Sequence, residues 1–208
     1  MLIIHERLPQ LITNKSLMNV NVNLVTIQQH LNQKRNYFAT TCVPSYINLA
    51  SNQYKNDNNW KAHYHGTAVE ILNEVPDITH FVTGLGTTGS FVGTSRRLKK
   101  EKPSVKLISL EPDNALHGLE GWKHLETAVV PAIYDPWIAD ENLVIDTEEA
   151  YQMIVEVKEK EGLILSPSSA ANLVGAIRVA SKIESGIVVT LLPDNGDKYG
   201  ELINKLFK

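Results

Sequence analysis

The chain has 208 residues, 43% of them hydrophobic and 21% charged, which is enough to bury one substantial core with ordinary globular usage. Its 20 basic and 23 acidic side chains leave a formal charge of −3, so no global field draws nucleic acid or an anionic membrane. One cysteine, Cys42, excludes an internal disulfide, the opening Met1–Arg7 lacks a signal-like apolar run, and no stretch approaches a membrane span; a soluble, cytoplasmic protein is expected.

The N-terminal part is rich in Asn and Gln between Asn14 and Asn36 and has no strong period. Val20, Val22 and Leu24 alternate with Asn21 and Asn23, as in a half-exposed strand, and Ile27–Leu31 reads as the start of a short helix. From Ile78 onward, short β-branched runs alternate with helical patterns. Thr79–Val82 reads as a strand, followed by a glycine-rich turn and a helix over Phe91–Lys100 that ends in solvated Lys99, Lys100 and Lys102. Val105–Leu110 is the next strand. Asp146 caps a helix with Glu148 and Glu149 in its first turn, Ala150, Ile154 and Val157 on its core face, and Gly162 after its end. Leu163–Leu165 follows as a strand, then a helix opening near Ser168 or Ser169 and stopping at Gly186, then the strand Ile187–Leu192. The rhythm predicts an α/β fold: a mainly parallel sheet with helices on both faces.

Three loops carry the candidate chemistry. Gly84-Leu85-Gly86-Thr87-Thr88-Gly89-Ser90 lies between a strand and a helix, where glycines admit an anion to the backbone and the helix N-terminus favours negative charge. Taken alone, Gly84-x-Gly86-x-x-Gly89 also matches a dinucleotide fingerprint, with Glu111 at the end of the next strand as a ribose-binding acid. Pro193-Asp194-Asn195-Gly196-Asp197-Lys198-Tyr199 follows the most apolar strand, and reads either as a ligand loop or as an Asn-Gly turn with Asp197 capping the last helix. Ser166-Pro167-Ser168-Ser169 is an N-cap with spare hydroxyls. The histidines, including His63, His65, His80, His117 and His124, lack metal-site spacing, and Cys42 has no partner at a nucleophile's spacing; neither a metal nor a nucleophilic cysteine is assigned.

Taken in order, these segments resemble the cysteine synthase family, the pyridoxal-phosphate enzymes of fold type II, from about Asn48 to about Tyr199. The resemblance rests on Asn52-Gln53-Tyr54, Ala62-His63-Tyr64, Gly86-Thr87-Thr88-Gly89-Ser90, His117-Gly118-Leu119-Glu120-Gly121, Ser168-Ser169-Ala170-Ala171-Asn172 and Pro193–Tyr199. It implies a fold like that family's large domain over residues 48–208, preceded by an atypical segment 1–47. It also implies that Gly86, Thr87, Thr88, Gly89 and Ser90 hold the phosphate of pyridoxal phosphate, and that Asn195 stands where relatives present a serine to the pyridine nitrogen. The implied reaction is formation of cysteine from O-acetylserine and sulfide, on a small amino-acid substrate.

Two of that family's motifs have no counterpart here: the Pro-Ser-x-Ser-x-Lys segment bearing the Schiff-base lysine and the Ser-Gly-Asn-Thr-Gly substrate loop. Lys15, Lys34, Lys55 and Lys61 have none of the expected neighbours, so no catalytic residue is assigned. Leu11–Leu17 faintly resembles the family's opening segment. The sequence therefore suggests a truncated member, inactive alone, that forms a homodimer or is completed by another chain. Its alternatives are a non-catalytic binding or oligomerisation module and a dinucleotide-binding domain.

Overall fold

A computed structural model describes residues 20–25 and 52–207. The expected helix at Ile27–Leu31, the Leu11–Leu17 segment, Lys15, Lys34 and Cys42 lie outside the described residues. Five parallel strands form one sheet in the order β1-β5-β2-β3-β4, where β1 is Val20–Val25, β2 His80–Gly84, β3 Lys106–Pro112, β4 Glu141–Ile145 and β5 Gly186–Leu191. β1 arises where valine and leucine alternate with asparagine, and pairs in register with β5 from Val20 opposite Gly186 to Val25 opposite Leu191.

The inner strands are apolar on both sides, so each alternate residue serves a different layer. Val82, Ile108, Leu110 and Val188 face one core, which α4 (Thr147–Glu161) and α5 (Pro167–Ala180) complete. Phe81, Leu107, Val189 and Leu191 face the other, covered by α2 (Thr67–Glu74) and α3 (Gly89–Glu101). The expected parallel α/β fold with helices on both faces is therefore present. α4 matches its sequence signals closely: Asp146 accepts from the Glu149 N–H at 3.0 Å, Gly162 closes the helix at φ 72°, and Ala150, Ile154 and Val157 are buried.

Several expectations are corrected. Leu163–Leu165 is not a strand; Leu165 makes a single antiparallel bridge to Asn195, because four residues between Gly162 and Pro167 leave no room for a ladder. The helix after it is capped by Ser166, with Pro167 at its first turn, and ends at Ala180 rather than Gly186. Gly186, at φ 150°, instead opens β5. The final helix α6 (Gly200–Leu206) follows Tyr199, so Asp197 does not cap it and sits instead in a 3-10 turn over Gly196–Tyr199. β4 carries no sequence expectation, since it is a mostly exposed edge strand without a continuous apolar run. Lys99 is not simply solvated: its ammonium donates to the Val105 carbonyl at 2.7 Å and meets Asp140 at 2.9 Å.

α1 (Asn58–His65) is attached differently, for none of its residues is buried. It lies on α3 at Gly93, where a Cβ would stand 2.0 Å from the Trp60 carbonyl oxygen. Arg96 covers the Trp60 ring at 4.5 Å and Arg97 the Tyr64 ring at 5.3 Å, cation–π contacts that supplement a small apolar area. His63, bonded to the Thr67 hydroxyl at 3.0 Å, is held neutral by burial with its pKa lowered to about 4.

Two outcomes follow from α1. The unfolded chain takes up a proton on His63 below its ordinary pKa of 6.5, and the folded chain resists it down to about 4, so stability falls on acidification through this window. Urea unfolding at pH 7 and pH 5 is expected to lose about 1–2 kcal/mol less in His63→Gln than in the parent chain. Gly93→Ala, whose new methyl meets the Trp60 carbonyl, is expected to lower stability by about 1–3 kcal/mol in the same assay.

Candidate functional site

The sheet reverses its winding between β2 and β5: the chain leaves β2 towards β3 and β4 and returns through α5 to β5 on the other side. Such a switch point opens a crevice at the carboxyl ends of the strands, where α/β proteins bind ligands. Pairing of β2 with β5 runs from His80 opposite Val188 to Val82 opposite Thr190, and beyond it the strands are joined by a side chain. Buried Asn172 of α5 accepts from the Gly84 N–H at 2.7 Å and donates to the Leu191 carbonyl at 2.8 Å. The two loops singled out in the sequence thus leave the sheet side by side.

The first loop is clamped on two sides. A Cβ on Gly84 would fall 1.9 Å from the Trp122 ring, and one on Gly86 2.1 Å from the Gly121 carbonyl oxygen. Lys123 N–H donates to the Leu85 carbonyl at 2.8 Å, so Gly121–Lys123 lies along the loop as a strap. From the opposite side, Asn59 of α1 donates to the Gln53 carbonyl at 2.7 Å and to the Thr87 hydroxyl at 3.2 Å. A Cβ on Gly89 would strike the Asn59 amide at 1.9 Å. Glycine is required here by close approach of neighbouring groups.

Thr88 is the unusual residue. Its φ of 69° makes it the one non-glycine residue with positive φ among the described residues, a conformation that costs about 1–3 kcal/mol. It stands at the N-cap of α3, yet its side chain caps nothing, and its Oγ1 is buried without a hydrogen-bond partner. Helical geometry leaves the Gly89, Ser90 and Phe91 N–H groups without intrahelical acceptors. Strain and an orphaned hydroxyl thus coincide at the start of α3, whose first amides are free. Free amides and the positive end of a helix are chemically suited to a phosphate.

The second loop is built on hydroxyls. Ser166, Ser168 and Ser169 are all buried at the start of α5; Ser166 donates to Ser169 at 2.9 Å, and Ser169 donates to the Asp194 carbonyl at 2.7 Å. Asp194 has one carboxylate oxygen near the Tyr199 hydroxyl, at 3.5 Å, and the other buried without a partner. Burial first, and then the Asp194 carboxylate, pushes the Tyr199 phenol up to about 12, so it stays protonated. Asn195 is exposed; its amide nitrogen donates to Asp197 at 2.7 Å and its oxygen accepts from the Asp197 N–H at 3.3 Å. Its side chain therefore caps the 3-10 turn.

Glu111 is engaged elsewhere. It accepts from the Leu125 N–H at 3.1 Å and from the Asn142 amide at 2.8 Å, which ties both carboxylate oxygens to the β3–β4 side and removes the support for a ribose contact. Asn59, Asn172 and the Gly121–Lys123 strap carry no individual role in the sequence reading. Their signal was position alone, inside or beside the matching segments.

The family model described as pyridoxal-phosphate dependent enzyme matches residues 22–194. Among curated proteins, a cysteine synthase of Aquifex aeolicus is 41% identical over 152 residues, 71% of this chain and 46% of that protein. A cysteine synthase of Helicobacter pylori is 32% identical over 177 residues, 80% of this chain and 56% of its own length. The crystal structure of a hydrogen sulfide-producing enzyme from Fusobacterium nucleatum superimposes with a TM-score of 0.67 at 34% identity, over 71% of this chain and 53% of that one. This chain spans about half the length of the curated relatives it matches. Among the described residues no helix is long and apolar enough to cross a membrane. The match over residues 22–194, the cysteine synthase relatives and the superposed structure agree on one assignment: the chain belongs to the family of pyridoxal-phosphate dependent enzymes, within its cysteine synthase group of fold type II.

Proposed function

We propose that this chain is the phosphate-holding part of a cysteine synthase-type site, cytoplasmic and incomplete for chemistry when alone. The observation that carries the reading is buried Thr88, held at positive φ with an unpartnered hydroxyl at the start of α3. Gly86–Ser90 bind the phosphate of pyridoxal phosphate through the Gly89, Ser90 and Phe91 amides and the Thr88 hydroxyl. Asn59 fixes the loop through Thr87, and the Trp122 ring over Gly84 excludes water from its back. Asn195 borders the ring end, with one amide hydrogen left after its bond to Asp197.

When bound, the cofactor supplies an electron sink for replacing the β-substituent of an amino acid. In this reading the substrates are O-acetylserine and sulfide and the product is cysteine. No lysine of these 208 residues is assigned as the anchor, because the Pro-Ser-x-Ser-x-Lys segment has no counterpart among them.

Calorimetric titration with pyridoxal phosphate is expected to give saturable binding, which Gly86→Val abolishes by driving its side chain into the Gly121 carbonyl. Absence of binding in the parent chain removes the proposal. Assay of these 208 residues with cofactor, O-acetylserine and sulfide is expected to give no cysteine; turnover there shows that one of their own lysines serves as the anchor.

A second reading, a binding or oligomerisation module, is favoured by the β3–β4 connection. Leu116 is 96%, Val129 85% and Trp137 90% exposed there, more apolar surface than an isolated loop needs. Sedimentation equilibrium is expected to show a homodimer or larger species, shifted towards monomer by Trp137→Ser. A monomer at every concentration sinks this reading.

A further inference from the structure

Among the described residues, free donors are gathered at the proposed phosphate end, whereas no amine is prepared for the aldehyde end. Every donor at the phosphate end is neutral: the stretch Gly84–Val92 contains no basic residue, so recognition depends on amides, the Thr88 hydroxyl and the dipole of the 13-residue α3. These groups are preorganised, since Thr88 is already 99% buried in its strained conformation and Asn59 already holds Thr87.

Two described lysines lie beside the loops. Lys123 belongs to the strap, but its ammonium sits over the Tyr54 ring at 5.0 Å, turned to that aromatic face. Lys198 follows Asp194, is 72% exposed and reaches the Asp194 carboxylate at 3.4 Å. A lysine becomes a nucleophile for a carbonyl when it is desolvated or set beside another cation, and neither is so placed.

We infer that this chain selects its ligand by the phosphate and not by the aldehyde, so that pyridoxamine phosphate, which has an amine in place of the aldehyde, binds as tightly as pyridoxal phosphate. The inference rests on the phosphate reading above and goes beyond it. A covalent holder favours the aldehyde form strongly, because only that form condenses with a lysine. A phosphate holder is indifferent to the substituent, rejects unphosphorylated pyridoxal, and is competed by inorganic phosphate.

Isothermal titration of the full chain in phosphate-free buffer tests this with pyridoxal phosphate, pyridoxamine phosphate and pyridoxal, followed by borohydride treatment and intact-mass measurement. The two phosphates are expected to have dissociation constants within about fivefold of each other, and pyridoxal to bind at least about fiftyfold more weakly. Inorganic phosphate competes, and borohydride leaves no stoichiometric adduct. A larger preference for pyridoxal phosphate, or a stoichiometric reduced adduct on any lysine, overturns the inference and leaves the phosphate site standing. Failure of both phosphates to bind, or pyridoxal binding as tight as the phosphates, overturns the inference and the proposed function together. Thr88→Ala is expected to weaken both phosphates equally, by about tenfold, and Thr88→Ser to restore them; an unequal or absent loss counts against the inference. Should Thr88→Ala fail to give a cooperative thermal transition, Thr88→Val, which keeps the side-chain volume and removes the hydroxyl, carries the same comparison.

Discussion

The amide of Asn172 is the point on which the site depends. Parallel strands that diverge must leave backbone groups unpaired, and at the ends of β2 and β5 the Gly84 N–H and the Leu191 carbonyl are two of them. One buried amide satisfies both, because asparagine carries a donor and an acceptor a fixed distance apart. α5 can deliver that amide because it is lined with small residues: a Cβ on Gly175, one turn further on, would meet Leu110 at 2.4 Å. The opening between the strands is therefore a fixed width, and the two loops that leave it inherit a fixed separation.

Within that frame, the glycine loop shows how local cost and function are matched. A threonine at φ 69° and a buried hydroxyl without a partner are each unfavourable, and surrounding contacts must hold them in place. The strap Gly121–Lys123 and Asn59 supply those contacts from two sides. Positive potential comes from the helix start, with no arginine or lysine in the loop, so in the proposed function the anion is met by backbone amides and the Thr88 hydroxyl alone.

How much was legible in the chain follows from which forces act locally. α4 was readable to its caps, since Asp146, the first-turn glutamates and Gly162 are local signals with local causes. Buried strands β2, β3 and β5 were readable as continuous apolar runs, with ends off by one or two residues. The edge strand β4 was not, because its partner on one side is all that makes it a strand. Leu163–Leu165 has the apolar look of a strand, yet its place in the chain leaves it only one bridge. The phosphate loop was found from its glycines, but the reason for each glycine was not: Gly84, Gly86 and Gly89 answer to Trp122, Gly121 and Asn59, which are distant in sequence. The resemblance places Asn195 at a ring contact, while its geometry shows a turn cap, a role that depends on Asp197 two residues away.

The seat of α1 on α3 has a consequence for how the protein responds to its ligand. No residue of α1 is fully buried, and it is held on α3 at Gly93 and through two arginine–aromatic contacts, at the periphery of the fold. Its Asn59 nonetheless steadies the loop that, in the proposed function, receives the phosphate. Thermodynamic reciprocity then links the two events: whatever secures α1 sharpens the loop, and whatever fills the loop secures α1. Occupancy is thereby reported on the outer surface of the molecule, by the order of a helix that never touches the ligand's ring.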